Sequence, residues 1–417
     1  VQNRSYSPPL LALYTGRLAS ELGNRIYLVA LTLFLARENP RLITVLYLIG
    51  FLAPVVSGLF VGTLIAKIGP RASAILSDAL CAGATIAMPF FLHSPILFVW
   101  VVIVGLVQPV YSPAVTPLVA SVTAEDNRHR VSSIFTTVAS GAQVIGPLVG
   151  GALYLVWLPL PFILQAAAFV ISAVCTSVAR FSGVSRPHDA TQHRGFAAFR
   201  HNLGLGFNYM RQSKALKMIL LTALAINIGG GAIEAYIVLY VTRGLHLSAP
   251  YFATMVSFEG LMWVIVGLFN ARYLSKRRQS WLFRFSTVFL VAGVVVLAAA
   301  VNYAMLLTSI AIFSLGMLTI STSIYAVRMN LVPVEHLGQV SSLFSTLQIA
   351  AGGLSVLIAG FFLPFVPIRV IISVAAFVLC LMTPFALRLA ALLRESEMQS
   401  ERTVAPDALL VSGTDTV

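Results

Sequence analysis

Apolar stretches of about twenty residues follow one another along this chain, each closed by a short polar turn. A helix rises 1.5 Å per residue, so about twenty such residues cross a hydrocarbon layer roughly 30 Å thick. The pattern predicts twelve membrane helices, over residues 10–36, 42–66, 72–92, 95–119, 131–155, 158–179, 215–242, 249–271, 281–300, 303–327, 339–363 and 367–388. The connections are short except for residues 180–214, a polar basic segment holding Arg186, His188, His193, Arg194, Arg200 and His201. It reads as a cytoplasmic linker between a first six-helix bundle at 1–179 and a second at 215–390. Residues 391–417 are charged, then rich in Ser and Thr, and are expected to form a disordered cytoplasmic tail. The fold class expected is an all-α membrane protein built as two pseudo-symmetric six-helix bundles.

An internal repeat supports the division. Val131-Ser132-Ser133-Ile134-Phe135-Thr136-Thr137 returns 209 residues later as Val340-Ser341-Ser342-Leu343-Phe344-Ser345-Thr346. Asp126 and Glu335, in the preceding polar turns, keep the same offset. Two parallel halves with the binding site between them are a common transporter plan.

Composition agrees with the pattern and sets the orientation. The chain of 417 residues is 58% hydrophobic and 10% charged, against about 25% charged in a soluble domain. The net charge of +13 would suggest nucleic acid in a soluble protein, but here the charges sit in the turns. With both termini in the cytoplasm, the inner segments hold 21 of the 27 Lys and Arg residues, and the outer turns hold four, Arg37, Arg41, Arg243 and Arg369. Arg17 and Arg25 fall inside helix one. The three cysteines lie within apolar runs without metal-ligand spacing, and neither a disulfide, a metal site nor a cofactor is expected. No cleavable signal peptide pattern and no nucleotide-binding P-loop occurs, and neither H-E-x-x-H nor an intramembrane Ser/His pair points to an enzyme.

The turn after helix two reads Gly62-Thr63-Leu64-Ile65-Ala66-Lys67-Ile68-Gly69-Pro70-Arg71. It resembles G-x-L-x-D-R-x-G-R-R, the cytoplasmic signature of the major facilitator superfamily. Gly62 and Gly69 would allow close helix approach and a tight turn, with Lys67 and Arg71 facing the cytoplasm. Ala66 stands where the family has Asp, which puts that residue's charge lock in doubt. Helix five carries Gly146-Pro147-Leu148-Val149-Gly150-Gly151, similar to the family's antiporter motif GPxxGG, with Ala142 in the earlier small position. Such glycines let helix five approach helix eight or eleven, and Pro147 would bend it. In the family this motif marks exporters more than importers. Ser77-Asp78-Ala79-Leu80 and Tyr111-Ser112-Pro113-Ala114 further resemble the enterobactin-exporter-like and macrolide-efflux-like branch. The Arg of that branch's P-A-R pattern is absent after Ala114, and Arg328 is its counterpart in the second half.

Four acidic residues fall inside predicted helices, where ionised groups are costly and mark functional candidates. Glu21 has Arg17 and Arg25 four positions away on either side, on one helix face, either as a structural ion cluster or as a cavity-lining site. Asp78 lies near the cytoplasmic end of helix three and is expected to pair with a basic residue there or to cap backbone. Glu234 follows Gly229-Gly230-Gly231, which could form a hinge or a break. Glu259 has no basic residue within a turn, which suits either cycling between protonated and ionised forms or a hydrogen bond from a neighbouring helix. Glu234, Glu259 and Glu21 are the proton-coupling candidates. Arg17, Arg25, Tyr27, Gln108, Tyr111, Asn227, Tyr236, Tyr240, Tyr325 and Arg328 are the candidates for a substrate cavity.

The resemblance implies a monomeric secondary transporter of a bacterial inner membrane, exporting an amphipathic small molecule such as a drug or a siderophore against a proton gradient by alternating access. Import or facilitated diffusion of a nutrient or lipid-like solute is the alternative, and a transporter-like sensor a more distant one.

Overall fold

A computed structural model describes residues 7–123, 127–179, 204–211, 213–274 and 277–411. These residues are helical, with no strand among them. Twelve helices are long and apolar enough to cross a membrane. They are α1 Pro8–Glu38, α2 Arg41–Gly58, α3 Pro70–Phe91, α4 Leu97–Val122, α5 Arg130–Val156, α6 Leu160–Val178, α7 Lys214–Gly244, α8 Ala249–Leu274, α9 Gln279–Ala299, α10 Tyr303–Leu331, α11 His336–Phe362 and α12 Ile368–Glu395.

Proline and capping residues punctuate these helices. Pro8 opens α1 at a position whose N–H has no intrahelical acceptor, and Pro70 does the same for α3. Pro89 and Pro109 coincide with single tight turns, Met88–Phe91 and Gln108–Val110, that interrupt α3 and α4. The Asn302 side chain accepts from the Met305 N–H at 2.9 Å and caps α10. Past α2, a short helix, Val61–Ile68, ends at Gly69, whose φ of +89° is open to glycine at little cost. Gly69 therefore makes the expected tight turn. Gly62 approaches no neighbouring helix, so the close contact expected there is absent.

Two compact units emerge from the packing, and they differ from the two sequence halves. The first comprises Val1–Asn202, Gly231–Val264 and Ile349–Ile372. Within it α1 packs on α5 and α6, α3 on α6 and α4, and α2 on α4. The second comprises Leu203–Gly230, Ile265–Gln348 and Ser373–Val417. Within it α9 packs on α10 and on α12, and the α9–α10 contact is made by reciprocal glycines, Gly293 against Phe313 and Gly316 against Leu290.

The structure differs from the sequence reading at two places. First, the helix begun at Thr383 runs to Val411, so residues 391–411 are helical rather than a disordered tail. Glu397 ties the extension to α9, its carboxylate accepting from the Ser280 hydroxyl at 2.6 Å and the Ser280 N–H at 3.3 Å. Second, Gly229-Gly230-Gly231 does not break α7, which is helical from Lys214 to Leu239. Gly229 lies against Leu379 and Ala375, and Gly231 against Gly352, so two of the three glycines serve close packing. Much of the expected linker, residues 180–203 and 212, lies outside the described residues, as do Asp126 and Arg186, His188, His193, Arg194, Arg200 and His201.

Candidate functional site

The residues that assemble the site start on α1. Arg17 donates to Glu21 in a 2.6 Å ion pair within one helix turn. Arg25 does not complete the expected three-member cluster. Among the described residues it makes no ion pair and its Nε has no hydrogen-bond partner, and it lies within electrostatic reach of Glu234 on α7 and Glu259 on α8. The two carboxylates also act on each other, so Glu259, without a cation on its own helix, has one supplied by α1.

Depth along the helices agrees. Arg25 stands thirteen residues from the Glu38 end of α1, Glu234 ten from the Gly244 end of α7, and Glu259 ten from the Ala249 end of α8. At 1.5 Å per residue these are about 15–20 Å from one face of the helix set. Glu234 is exposed to solvent although many protein atoms lie around its carboxylate. Glu259 and Arg25 are half-buried. Tyr47 on α2 lies within reach of both carboxylates, and the Trp263 indole N–H turns toward Glu259 from one helix turn away.

The glycines of GPxxGG give Arg25 its position. A methyl group at Gly146 would collide with the Arg25 side chain and lie 3.3 Å from the Leu22 carbonyl oxygen. One at Gly150 would lie 2.5 Å from the Ile26 oxygen. Gly151 faces Ala253 of α8, and Gly260 of α8 faces Gln143 of α5. All three motif glycines and Pro147 are buried, and α5 runs through Pro147 without interruption. The motif thus seats α5 against α1 and α8, with no such contact to α11.

Residues expected around a cavity divide sharply. Four tyrosines are interior packing residues instead. Tyr27 sits edge-on to Phe162 of α6, and Tyr111 packs with Leu13, Val61 and Ala74. Tyr236 is fully buried, exchanging a 2.7 Å hydrogen bond with the Thr44 hydroxyl and donating to the Val356 carbonyl at 3.0 Å. Tyr240 is buried where α7 ends in a wide turn. Gln108 is half-buried in the tight turn of α4, and Asn227 donates to the Ala223 carbonyl of its own helix at 2.8 Å. In the second unit Arg328 lies over the rings of Tyr325 and Phe344, 5.5 and 5.4 Å from their centres, and Tyr325 is exposed.

Asp78 is buried on α3, with one carboxylate oxygen unpartnered, and Arg17 near the start of α1 is the basic group within its electrostatic reach. Of the signature turn, Lys67 is exposed and Arg71 donates to the Ser177 carbonyl near the end of α6. Among the described residues no group of three or more His, Cys, Asp or Glu is placed to hold a metal ion.

Sequence reasoning missed the partnership of Arg25 with Glu234, as well as Tyr47 and Trp263. A signal for the first was available. Glu234 stands 209 residues after Arg25, the offset of the internal repeat, so cation and acid occupy equivalent positions on the first helices of the two halves. Tyr27 and Tyr236 are related in the same way.

A family model described as Major Facilitator Superfamily matches residues 13–356. No curated protein matches the chain in sequence. Solved structures share the fold. A bacterial homologue of the iron transporter ferroportin, in an inward-facing state, aligns at 16% identity with a TM-score of 0.70, over 92% of this chain and 98% of that one. The nucleoside transporter NupG aligns at 10% identity and 0.72, over 93% and 99%. A bacterial homologue of the human lysosomal transporter Spinster, inward-facing and unoccupied, aligns at 14% and 0.70, over 95% and 98%.

Proposed function

Because the chain belongs to the major facilitator superfamily, we propose that it is a proton-coupled exporter of an amphipathic small molecule, such as a drug or a siderophore, working as a monomer in a bacterial inner membrane with both termini in the cytoplasm. The observation that carries this reading is the set formed by Arg25, Glu234 and Glu259, drawn from three helices at one depth. Two carboxylates and one guanidinium carry a net charge of −1 when all are ionised. One proton brings the set to zero, and burying charge in a membrane protein favours neutral sets.

Coupling then follows from population shift. A proton changes the balance of two conformations only if it binds them differently. Glu234 and Glu259 reach Arg25 through helices joined to α1 only by packing, so any motion of α7 and α8 against α1 changes what surrounds the carboxylates. Export rather than import is supported by GPxxGG, whose Gly146 makes the room that Arg25 occupies.

The test is uphill transport in proteoliposomes, with a panel of drugs and siderophores first screened by counterflow. Glu234→Gln and Glu259→Gln keep shape and hydrogen-bonding capacity but remove ionisation. At least one should lose efflux driven by an imposed pH difference while keeping substrate exchange. Accumulation at the wild-type level in both single variants and in the double variant would overturn proton coupling through this set.

A further inference from the structure

The first unit contains a cavity of about 510 Å³ that neither Arg25, Glu234 nor Glu259 lines. It is lined by Asn39, Pro40 and Arg41 between α1 and α2, by Leu239 and Arg243 at the end of α7, and by the segment from Leu363 to Ile368 between α11 and α12. No acidic residue lines it. Arg243 is anchored by donating to the Ala36 carbonyl at 3.1 Å, and Arg369 by donating twice to the Gly244 carbonyl, at 2.9 and 3.1 Å. Arg41 differs, because its guanidinium has no ion pair or hydrogen bond within the described residues, and only its backbone N–H is held, by Asn39. Arg41 and Arg243 thus both line the cavity, and Arg369 directly follows its last lining residue, Ile368.

Its surroundings point to a lipid. Phe361, Phe362 and Phe365 form a chain of ring contacts at 5.3 and 6.1 Å, within and just before the lining segment. They are 68%, 48% and 74% exposed. A soluble anion has no use for exposed phenyl rings, whereas a phospholipid presents acyl carbon directly beneath its phosphate. The cavity lies at helix ends, at the level where headgroups meet hydrocarbon, and its size suits a headgroup rather than a bare phosphate. We propose that it binds the phosphate of an anionic phospholipid between Arg41 and Arg243, with the acyl chains against the phenylalanines. One lipid would then connect a segment of the first sequence half to two segments of the second.

The proposal is tested on the full chain in detergent by native mass spectrometry, titrating phosphatidylglycerol and, separately, phosphatidylcholine. The wild type should retain phosphatidylglycerol in preference to phosphatidylcholine. Arg41→Gln should weaken retention at least tenfold with unchanged melting, because that guanidinium holds nothing else among the described residues. Arg243→Gln should weaken retention further and, by releasing Ala36, also lower the melting temperature. Equal retention by wild type and Arg41→Gln would overturn the proposal. So would displacement of the lipid by millimolar inorganic phosphate, which would make this a site for soluble anions.

Discussion

Two ionic groups share α1, one turn apart, and behave in opposite ways. Arg17 and Glu21 close an ion pair at 2.6 Å on a single helix. Arg25, one turn beyond Glu21, has no ion-pair partner among the described residues and lies within electrostatic reach of two carboxylates from α7 and α8. The first pair is complete as soon as α1 forms, and no movement of other helices need disturb it. The second set exists only when three helices hold their places, so its energy depends on conformation. A charge can do work in a transporter when its partners lie on parts that move, and by that measure the second set is the informative one.

The most severe way to break the contrast is to move α1 away from α5. Gly150→Leu would place side-chain carbon where the Ile26 backbone now lies and should abolish transport while the protein still inserts, read as flux at matched expression. Wild-type flux would show that the motif's packing is dispensable. Next, Arg25→Gln should remove the cation from the distributed set and eliminate pH-driven accumulation, with Arg25→Lys restoring part of it. Activity in Arg25→Gln equal to wild type would assign the residue to packing.

A smaller effect is expected from Tyr236→Phe. It strands the Thr44 hydroxyl and the Val356 carbonyl in the interior and should cost about 1–3 kcal/mol, seen as a lower melting temperature with transport retained. The smallest effect belongs to the local pair. Glu21→Gln should cost about 0.5 kcal/mol or less, with uphill efflux intact. Loss of efflux in Glu21→Gln would invert the comparison and move the coupling role to the first half.

The twelve spans were legible because length and apolarity are local properties of the chain. So was the Arg17–Glu21 pair, whose members are neighbours by helical geometry. The Gly69 turn was legible through the match to a known signature. Arg25 was misassigned for an instructive reason. Its spacing from Glu21 is as favourable as that of Arg17, and only the packing of α5 and α8 decides which way the longer reach is used. The buried tyrosines were misread because a phenol in an apolar run can face a cavity or a neighbouring helix with equal sequence justification. Tyr236 faces a neighbour because Gly360 leaves space beside its hydroxyl. The triple glycine looked like a break because poor helix propensity shows in the sequence, whereas the close approaches of Leu379 and Gly352 do not.

The depth of Glu234 has an electrical consequence. Ten residues of helix separate it from the end of α7, about 15 Å, or roughly half the hydrocarbon thickness. In the proposed cycle a proton reaching this carboxylate from one face falls through part of the transmembrane field, and it crosses the remainder on release to the other. Moving one elementary charge across the whole field is worth about 2.3 kcal/mol per 100 mV, so each leg carries roughly half of that. Exchange of one proton for a neutral solute would therefore generate current, and membrane voltage alone, with no pH difference, should drive accumulation.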